Sequence, residues 1–370
     1  MKRLVKLLGL LLAFTLVAAA CGDSDEDSTP ADAPDSTEAT ESTEAAAPAS
    51  DTNVGLTFDI GGRGDQSFND SAAAGIDKAE SDLGVSYTEA EPNSDGSNRA
   101  ELLQTQADVS GLVVAVGFLF ANDVAAVAAE NPDVNFAVID DAMLDFDNGG
   151  VPRGENIAGL TFAEHEGSYL VGVAAALKNE SGTLGFIGGV SGFGLIEKFE
   201  AGFAAGARSV NADIEIISQY ITEFPDFDGF VAPDRAQEIA GAMFAQGADI
   251  IYHAAGGSGA GLFEAAADFT GTSGSKVWGI GVDSDQYNTV DSAVQEFVLT
   301  SMLKRVDVAV FEITTAHENG TFGPGNTVYN LAVDGVGYST SGGFIDDIVD
   351  QLEAAKADII SGVIEVPTEP

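Results

Sequence analysis

Positively charged residues, cysteine and histidine are scarce in this 370-residue sequence. Its 15 lysines and arginines face 59 aspartates and glutamates, which gives a formal net charge of −44. Nucleic-acid binding requires lysines and arginines that neutralise phosphates, so we expect no nucleic-acid partner. The single cysteine, Cys21, excludes an intramolecular disulfide, so the fold must be held by its apolar core. His165, His253 and His317 share no metal-like spacing, and we expect neither a metal nor a cofactor.

The N-terminal residues have the pattern of an export signal followed by a tether. Three basic residues within the first six precede an apolar run at 7–16, and small residues follow it. Cys21 comes next, as in a bacterial lipobox, although Ala18 stands where leucine is more usual. The following thirty or so residues are almost entirely Ser, Thr, Asp, Glu, Ala and Pro, which cannot bury enough apolar surface to fold. We expect a signal peptide over 1–20, a lipidated Cys21 and a disordered acidic stalk over 21–53.

Apolar strand patterns alternate with alanine-rich helical patterns along the rest of the chain. Strands are predicted at 54–58, 85–91, 112–117, 136–140, 157–162, 184–189, 214–221, 249–255, 277–282, 298–303 and 328–333. Helices are predicted at 122–130, 165–177, 195–209 and 234–246. Such alternation is typical of parallel sheets with helices on both faces. Because the strands are too many for one small sheet, we predict an α/β protein with two lobes.

The first predicted strand leads into a glycine-rich loop and a helix, where α/β folds bind ligands. Asp59 ends the strand, and the loop GGRGD has the spacing of neither a dinucleotide fingerprint nor a P-loop. Ser67 and Asp70 are spaced like a capping box, with Asp in place of the usual Glu or Gln. Phe68 lies between them with no obvious core partner. The stretch indicates a ligand-binding edge.

The same arrangement recurs in the second half of the chain. The stretch VGLTFDIGGRGDQSFNDSAAAG is echoed by LGFIGGVSGFGLIEKFEAGFAAG as strand, Gly-Gly loop and helix. Two lobes of like topology, with their carboxyl edges facing, would form one cleft between them. That arrangement suits hinge closure around a small molecule.

Several motifs carry a resemblance to a known family. They are FDIGGRGDQSFNDSAAAGIDKA, VNFAVIDD, LTFAEHEGSYLVGVAAAL, GFIGG followed by KFEAGFAAGA, QGADIIYHAAGGSGAGLFEAA, IGVDSDQ and VLTSMLKRVDVAVFE. The chain resembles the basic membrane protein family, the PnrA-like substrate-binding lipoproteins of ABC transporters. The resemblance implies a type I periplasmic binding protein fold, with two Rossmann-like lobes joined by three crossings at a hinge. We expect an N-terminal lobe of 54–160 and about 284–325, and a C-terminal lobe of 161–283 and about 326–370.

The resemblance also implies how a ligand is held, with two aromatic side chains enclosing a purine. Phe68 is the first candidate, since stacking on a base is favourable for any aromatic residue. The second should come from the loop after the strand at 214–221, where we choose Phe230 and keep Phe224 and Phe227 as rivals. Phe193 is a further candidate for the wall of the cleft.

Carboxylates and a lysine should hold the base edge and the ribose. Asp59 and Asp283 each end a predicted strand, and Asp283 is the candidate for the N–H groups of a purine. Asp140 and Asp141 end another strand, and one should face the cleft while the other orders the loop; we choose Asp141. The expected ligand-binding residues are Asp59, Ser67, Phe68, Asn69, Asp141, Phe193, Phe230, Gly257, Asp283 and Lys304.

The resemblance implies a lipid-anchored receptor of an ABC importer that faces away from the cytoplasm. It would close on a purine nucleoside and deliver it to the permease and ATPase subunits, acting as a monomer without catalysis. One alternative is a receptor for another small polar solute, such as an autoinducer, a sugar or a nucleobase. The other is a nucleoside-processing surface enzyme that uses Asp140 and Asp141, which product formation would reveal.

Overall fold

The structure, a computed structural model, describes Ser50 and residues 52–370. Two six-stranded sheets form the centre of this part of the chain. The strands are β1 (Asn53–Thr57), β2 (Ser86–Ala90), β3 (Leu112–Ala115), β4 (Asn135–Ile139), β5 (Leu144–Asp145), β6 (Val151–Pro152), β7 (Ile157–Phe162), β8 (Thr183–Ser191), β9 (Glu215–Glu223), β10 (Ile250–Ala254), β11 (Trp278–Asp283), β12 (Val298–Lys304), β13 (Gly325–Tyr329) and β14 (Val336–Tyr338). The helices are α1 (Phe68–Leu83), α2 (Arg99–Ala107), α3 (Ala121–Glu130), α4 (Glu164–Lys178), α5 (Leu195–Val210), α6 (Pro233–Ala245), α7 (Ala260–Ser273), α8 (Gln286–Thr289), α9 (Val306–Glu318) and α10 (Val349–Ile360). The predicted signal peptide, the predicted lipidated Cys21 and most of the predicted stalk lie outside these residues.

The two sheets share one strand order. The first is β13-β7-β4-β3-β1-β2 and the second is β14-β12-β11-β10-β8-β9. Their neighbouring strands are parallel except for the antiparallel pair β12 and β14. Both therefore contain the 2-1-3-4-5 order of a doubly wound fold, whose ligand crevice lies where the order reverses. The prediction of two α/β lobes is confirmed. The predicted internal similarity is confirmed as well, since its two stretches form β1-α1 and β8-α5.

The central strands are apolar along their whole length because helices cover both faces of each sheet. Every residue of β3 is fully buried, whereas the edge strand β2 has no fully buried residue. Burial on both faces holds the carboxyl ends of β1, β3 and β4 in fixed positions. The loops that follow these strands can therefore place side chains accurately.

Helices α4 and α5 approach each other through glycine. A Cβ atom on Gly202 would clash with the carbonyl oxygen of His165, and one on Gly206 would clash with that of Tyr169. The KFEAGFAAGA motif is thus explained by close helix packing, since only glycine permits such an approach of two backbones.

The chain passes between the two lobes three times: after Phe162, after Lys304 and after Tyr329. The first lobe comprises 53–162 and 306–329, and the second comprises 164–304 and 331–360. The predicted lobe boundaries differ from this topology in two places. Strand β12 joins the second sheet beside β11, which immediately precedes it in the chain, as consecutive parallel strands commonly do. Strand β13 pairs with β7 in the first sheet, although it was expected in the C-terminal lobe.

The strand predicted at 328–333 is also displaced. The observed strand β13 ends at Tyr329, and a short 3-10 turn occupies Leu331–Val333. Only Leu331 of that turn is buried, so the apolar run there is not the interior of a strand. Within residues 52–370, no helix combines the length and the apolar character needed to cross a membrane.

Candidate functional site

A cavity of about 680 Å³ lies between the carboxyl edges of the two sheets. The loops after β1, β3 and β4 line it from the first lobe, and residues around β8, β10, β11 and β12 line it from the second lobe. Its position at the reversal of strand order in both lobes is where doubly wound folds bind ligands. This volume includes space that is open to solvent.

The first wall is built by the N-terminus of α1, and Asp65 organises it. The Asp65 carboxylate accepts hydrogen bonds from the backbone N–H groups of Ser67 (2.9 Å), Asn69 (2.8 Å) and Asp70 (3.1 Å). The predicted capping box of Ser67 and Asp70 is therefore wrong, and Ser67 makes no side-chain capping bond. Because Asp65 satisfies these N–H groups, the Ser67 hydroxyl is free to point elsewhere.

Asp59 and Asn69 lie side by side on this wall. The Asn69 side-chain oxygen accepts from the Asp59 backbone N–H (2.9 Å), and the Asp59 carboxylate accepts from the Ile60 backbone N–H (2.8 Å). Both side chains, which the sequence analysis expects to bind the ligand, line the cavity. Burial raises the pKa of Asp59 to about 6, although the bond from Ile60 opposes that shift.

Asp140, not Asp141, forms the cavity wall after β4. Asp140 Oδ2 accepts from Lys304 Nζ at 2.7 Å, and among residues 52–370 its buried Oδ1 has no hydrogen-bond partner. Asp141 Oδ1 instead accepts from the Met143 backbone N–H at 2.7 Å and orders the loop. The structure thus places Asp140 in the cavity wall and Asp141 in the loop, the reverse of the expected assignment. The two neighbours diverge because the Asp140 backbone is left-handed, with φ of 68°.

Lys304, at the end of β12, joins the lobes through this ion pair. Its side chain is 3% exposed, and Glu164 Oε1 lies 3.6 Å from its ammonium. Burial alone would lower the pKa of Lys304, but Asp140, Glu164 and Asp283 together raise it, so the lysine remains charged. The ammonium also lies 5.0 Å from the ring centroid of Phe68, a cation–π distance. Lys304, an expected ligand-binding residue, lines the cavity.

Asp283 ends β11 and faces Asp140 from the other lobe. Its Oδ2 accepts from the Ser67 hydroxyl at 2.6 Å. Burial raises the pKa of Asp283 to about 7, opposed by the positive charge of Lys304 and by the bond from Ser67. Ser67 itself is fully buried and lies behind the residues that line the cavity. The structure thus places Ser67 against Asp283 rather than in the cavity wall.

The two aromatic candidates, Phe68 and Phe230, both line the cavity, one from each lobe. Phe68 begins α1 in the first lobe, and Phe230 comes from the loop between β9 and α6 in the second. Of the rivals to Phe230, Phe224 is 57% exposed and Phe227 packs against other aromatic rings. The structure therefore favours the choice of Phe230. Gly257, another expected ligand-binding residue, also lines the cavity.

A separate group of aromatic rings bridges the lobes. The Phe118 ring of the first lobe stacks on Phe193 of the second at a centroid distance of 4.9 Å, and it meets Phe227 edge-on at 5.9 Å. Of the three, only Phe118 is among the described residues that line the cavity. The structure thus gives Phe193 a contact across the cleft rather than the predicted place in its wall. We refer to Phe118, Phe193 and Phe227 as the aromatic bridge.

Comparison with known protein families agrees with this architecture. Residues 52–369 match the family model described as "ABC transporter substrate-binding protein PnrA-like". The chain belongs to this family. The resemblance drawn from the motifs is thereby confirmed, and the chain is a substrate-binding protein of the ABC transporter class.

Relatives of this PnrA-like protein match it over almost its whole length. A protein of Listeria innocua, named CD4+ T-cell-stimulating antigen, is 33% identical, and the match covers 98% of each chain. The ABC transporter nucleoside-binding protein BmpA of Lactococcus lactis is 32% identical, with 100% of this chain and 99% of that protein covered. A solved ABC-transporter solute-binding protein from Aeropyrum pernix superimposes with a TM-score of 0.72 at 27% identity, covering 86% of this chain and 93% of that one. The predicted type I periplasmic binding protein fold is confirmed.

Some residues of the PnrA-like site were not chosen from the sequence. Asp65 could have been recognised, because an aspartate two residues before a serine is a common turn signal. Glu164 could not have been recognised from the sequence, since its position beside Lys304 depends on the passage of the chain between the lobes. Phe118 and Phe199 also line the cavity, and no local pattern distinguishes them from ordinary core phenylalanines.

Proposed function

We propose that this protein is a lipid-anchored receptor of an ABC importer that closes its lobes on a purine nucleoside and delivers it to the permease. The observation that carries the ligand class is the pair of phenylalanines, Phe68 and Phe230, contributed to one cavity by opposite lobes. A flat aromatic base between two such rings gains stacking energy on both faces, about 1–3 kcal/mol for each stacked ring. Closure of the cleft brings the second ring into place.

The carboxylates supply the polar part of recognition. The buried Asp140 Oδ1 lacks a partner among residues 52–370, and a buried acceptor is stable only when a donor meets it. A ribose hydroxyl is such a donor. Asp283, beside the same cavity, can accept from N–H groups of a base, while Lys304 donates to a ligand oxygen or ring nitrogen.

The name of one relative supports the same ligand class. The Lactococcus lactis protein is named as nucleoside-binding and aligns along the whole of this chain. The lipid anchor is supported by the N-terminal pattern that ends at Cys21, and delivery to a permease is supported by the family. Anchored in this way, the receptor would face away from the cytoplasm.

Thermal unfolding tests the ligand class. The protein beginning at residue 22 is heated with purine nucleosides, pyrimidine nucleosides, nucleobases or sugars in turn. A ligand at a hundredfold excess over its dissociation constant stabilises the native state by about 2.7 kcal/mol. We expect the midpoint to rise with purine nucleosides and not with the sugars. A rise with a sugar or another solute alone would overturn the proposed ligand.

Two variants locate the binding. Phe68→Ala should reduce the shift strongly, because it removes one face of the stack. Phe146→Ala is the matched control, since Phe146 is 74% exposed and lies outside the described residues that line the cavity. Equal loss in both variants would argue against a site between the lobes.

A further inference from the structure

The two cleft aspartates occupy equivalent positions in their lobes. Asp140 follows β4 and Asp283 ends β11, which are matching strands in the two sheet orders. Both have left-handed backbones, with φ of 68° and 64°. Non-glycine residues rarely adopt this conformation, so it aims each side chain in a direction that a regular strand end would not.

Each aspartate is held by the opposite lobe. Lys304 of the second lobe donates to Oδ2 of Asp140 at 2.7 Å, and Ser67 of the first lobe donates to Oδ2 of Asp283 at 2.6 Å. For both carboxylates, the side-chain hydrogen bonds found within residues 52–370 use Oδ2 only. The Oδ1 atoms are therefore left for another donor. We refer to Lys304–Asp140 and Ser67–Asp283 as the crossed pairs.

Ser67 is well suited to this task. A serine before a helix usually accepts from backbone N–H groups of the first turn, but here the Asp65 carboxylate accepts from those of Asn69 (2.8 Å) and Asp70 (3.1 Å). The Ser67 side chain is fully buried, so its hydroxyl has no water to bond. Besides Asp283 Oδ2, the hydroxyl has the Val282 carbonyl oxygen at 3.3 Å, which is a weaker contact.

We propose that Ser67 is a positioning residue that orients the Asp283 carboxylate across the cleft, so that Oδ1 accepts from an N–H group of the bound base only when the lobes are closed. This inference rests on the proposed function, since it takes a purine nucleoside as the ligand. Opening the cleft would separate Ser67 from Asp283 and leave the carboxylate free to rotate. Recognition of the base edge and closure would thus be one event.

Neighbouring hydrogen bonds allow positioning to be separated from closure. The Ser284 hydroxyl donates to the Ser67 carbonyl oxygen at 2.8 Å, and the Gln286 side-chain amide donates to the Gln66 carbonyl oxygen at 3.1 Å. Both bonds join the lobes through backbone atoms of the same loop. Neither donor bonds to the Asp283 carboxylate in the described structure, so Ser284→Ala removes an interlobe bond of the same kind without freeing Asp283.

The experiment compares the affinity of each variant for inosine and 1-methylinosine, which differ in the N1–H group. The wild type should prefer inosine at least tenfold. In Ser67→Ala the preference should fall several-fold, because Asp283 loses its fixed orientation. In Ser284→Ala both affinities should fall by the same factor, which leaves the preference unchanged. Thermal unfolding of both variants checks that each is folded.

The possible outcomes separate this inference from the proposed function. If the wild type binds neither nucleoside, the proposed function fails and this inference fails with it. If the wild type discriminates and Ser67→Ala keeps the full preference, Ser67 is only a structural contact and this inference alone is overturned. If Ser284→Ala lowers the preference as much as Ser67→Ala does, closure rather than positioning sets discrimination.

Discussion

The two lobes contribute different chemistry to the same cavity. Much of the first-lobe wall is one stretch of chain from Asp59 to Asn69, ordered by hydrogen bonds to Asp65 and Asn69, and the loops after β3 and β4 add Phe118 and Asp140. The second-lobe wall is assembled from the ends of several strands and includes Phe230, Asp283 and Lys304. The stretch from Asp59 to Asn69 is thus a preformed polar edge, whereas Asp140 of the same lobe depends on Lys304 across the cleft. The second lobe presents groups whose partners lie across the cleft, so its part of the site is complete only on closure.

The largest expected effect concerns the buried lysine that links the two walls. Lys304→Met would leave Asp140 buried without its cation and Glu164 with only Lys198, at 3.4 Å, and removing one member of a buried pair costs about 3–5 kcal/mol of stability. Urea unfolding measures this loss. Lys178→Met is the control, since it breaks a surface pair with the 71% exposed Asp347 and should cost at most about 1 kcal/mol. A similar small loss in both variants would contradict the role given to Lys304.

The next comparison concerns two neighbouring aspartates. Asp140→Asn should weaken nucleoside binding by about 10–100-fold, because a hydrogen bond to a charged group contributes about 1.5–3 kcal/mol. Asparagine tolerates the left-handed backbone at this position. Asp141→Asn should leave affinity within about threefold, because Asp141 bonds to the loop backbone. Titration calorimetry measures the affinity of both variants. A larger loss in Asp141→Asn than in Asp140→Asn would indicate that Asp141 is the ligand-binding residue.

A smaller effect is expected from the aromatic bridge. Phe193→Ala should weaken binding by about 2–10-fold, because an aromatic pair contributes about 0.5–1.5 kcal/mol beyond its buried area. The ligand should dissociate faster, since Phe193 acts through closure and not through ligand contact. Phe224→Ala removes an exposed ring whose described aromatic partner is Phe227 and should change little. Stopped-flow dissociation rates test the difference; equal rates for wild type and Phe193→Ala would exclude a role in closure.

The smallest expected effect is a pH dependence of closure in the empty receptor. Burial between the lobes raises the pKa of Asp283 to about 7, whereas in an open, hydrated cleft it would return toward 3.8. Closing therefore binds protons, so lowering the pH from 8 to 5 should favour the closed form. Fluorescence energy transfer between labelled lobes measures this. Asp283→Asn should reduce the pH response, and an unchanged response would show that Asp283 does not titrate on closure.

Much of the fold could be predicted because local patterns and tertiary burial agree. The strand predicted at 157–162 coincides with β7, and the helix predicted at 195–209 is one residue shorter than α5. Helix α9 was not predicted, because its apolar residues follow directly on those of β12 and give no clear boundary. The lobe assignment of β12 and β13 depended on strand pairing between segments far apart in the chain, which apolar periodicity does not encode.

By itself, the sequence determined that Asp59, Ser67, Phe68 and Asn69 lie together, because one short loop after a buried strand carries all four. It also determined that an aspartate after β4 would face the cleft. Only the tertiary structure decided between Asp140 and Asp141, since that choice depends on a left-handed backbone and on Lys304, 164 residues away. The pairing of Ser67 with Asp283 has the same origin. Such contacts form when two separately folded sheet edges meet, and neither segment alone contains the information that orients them.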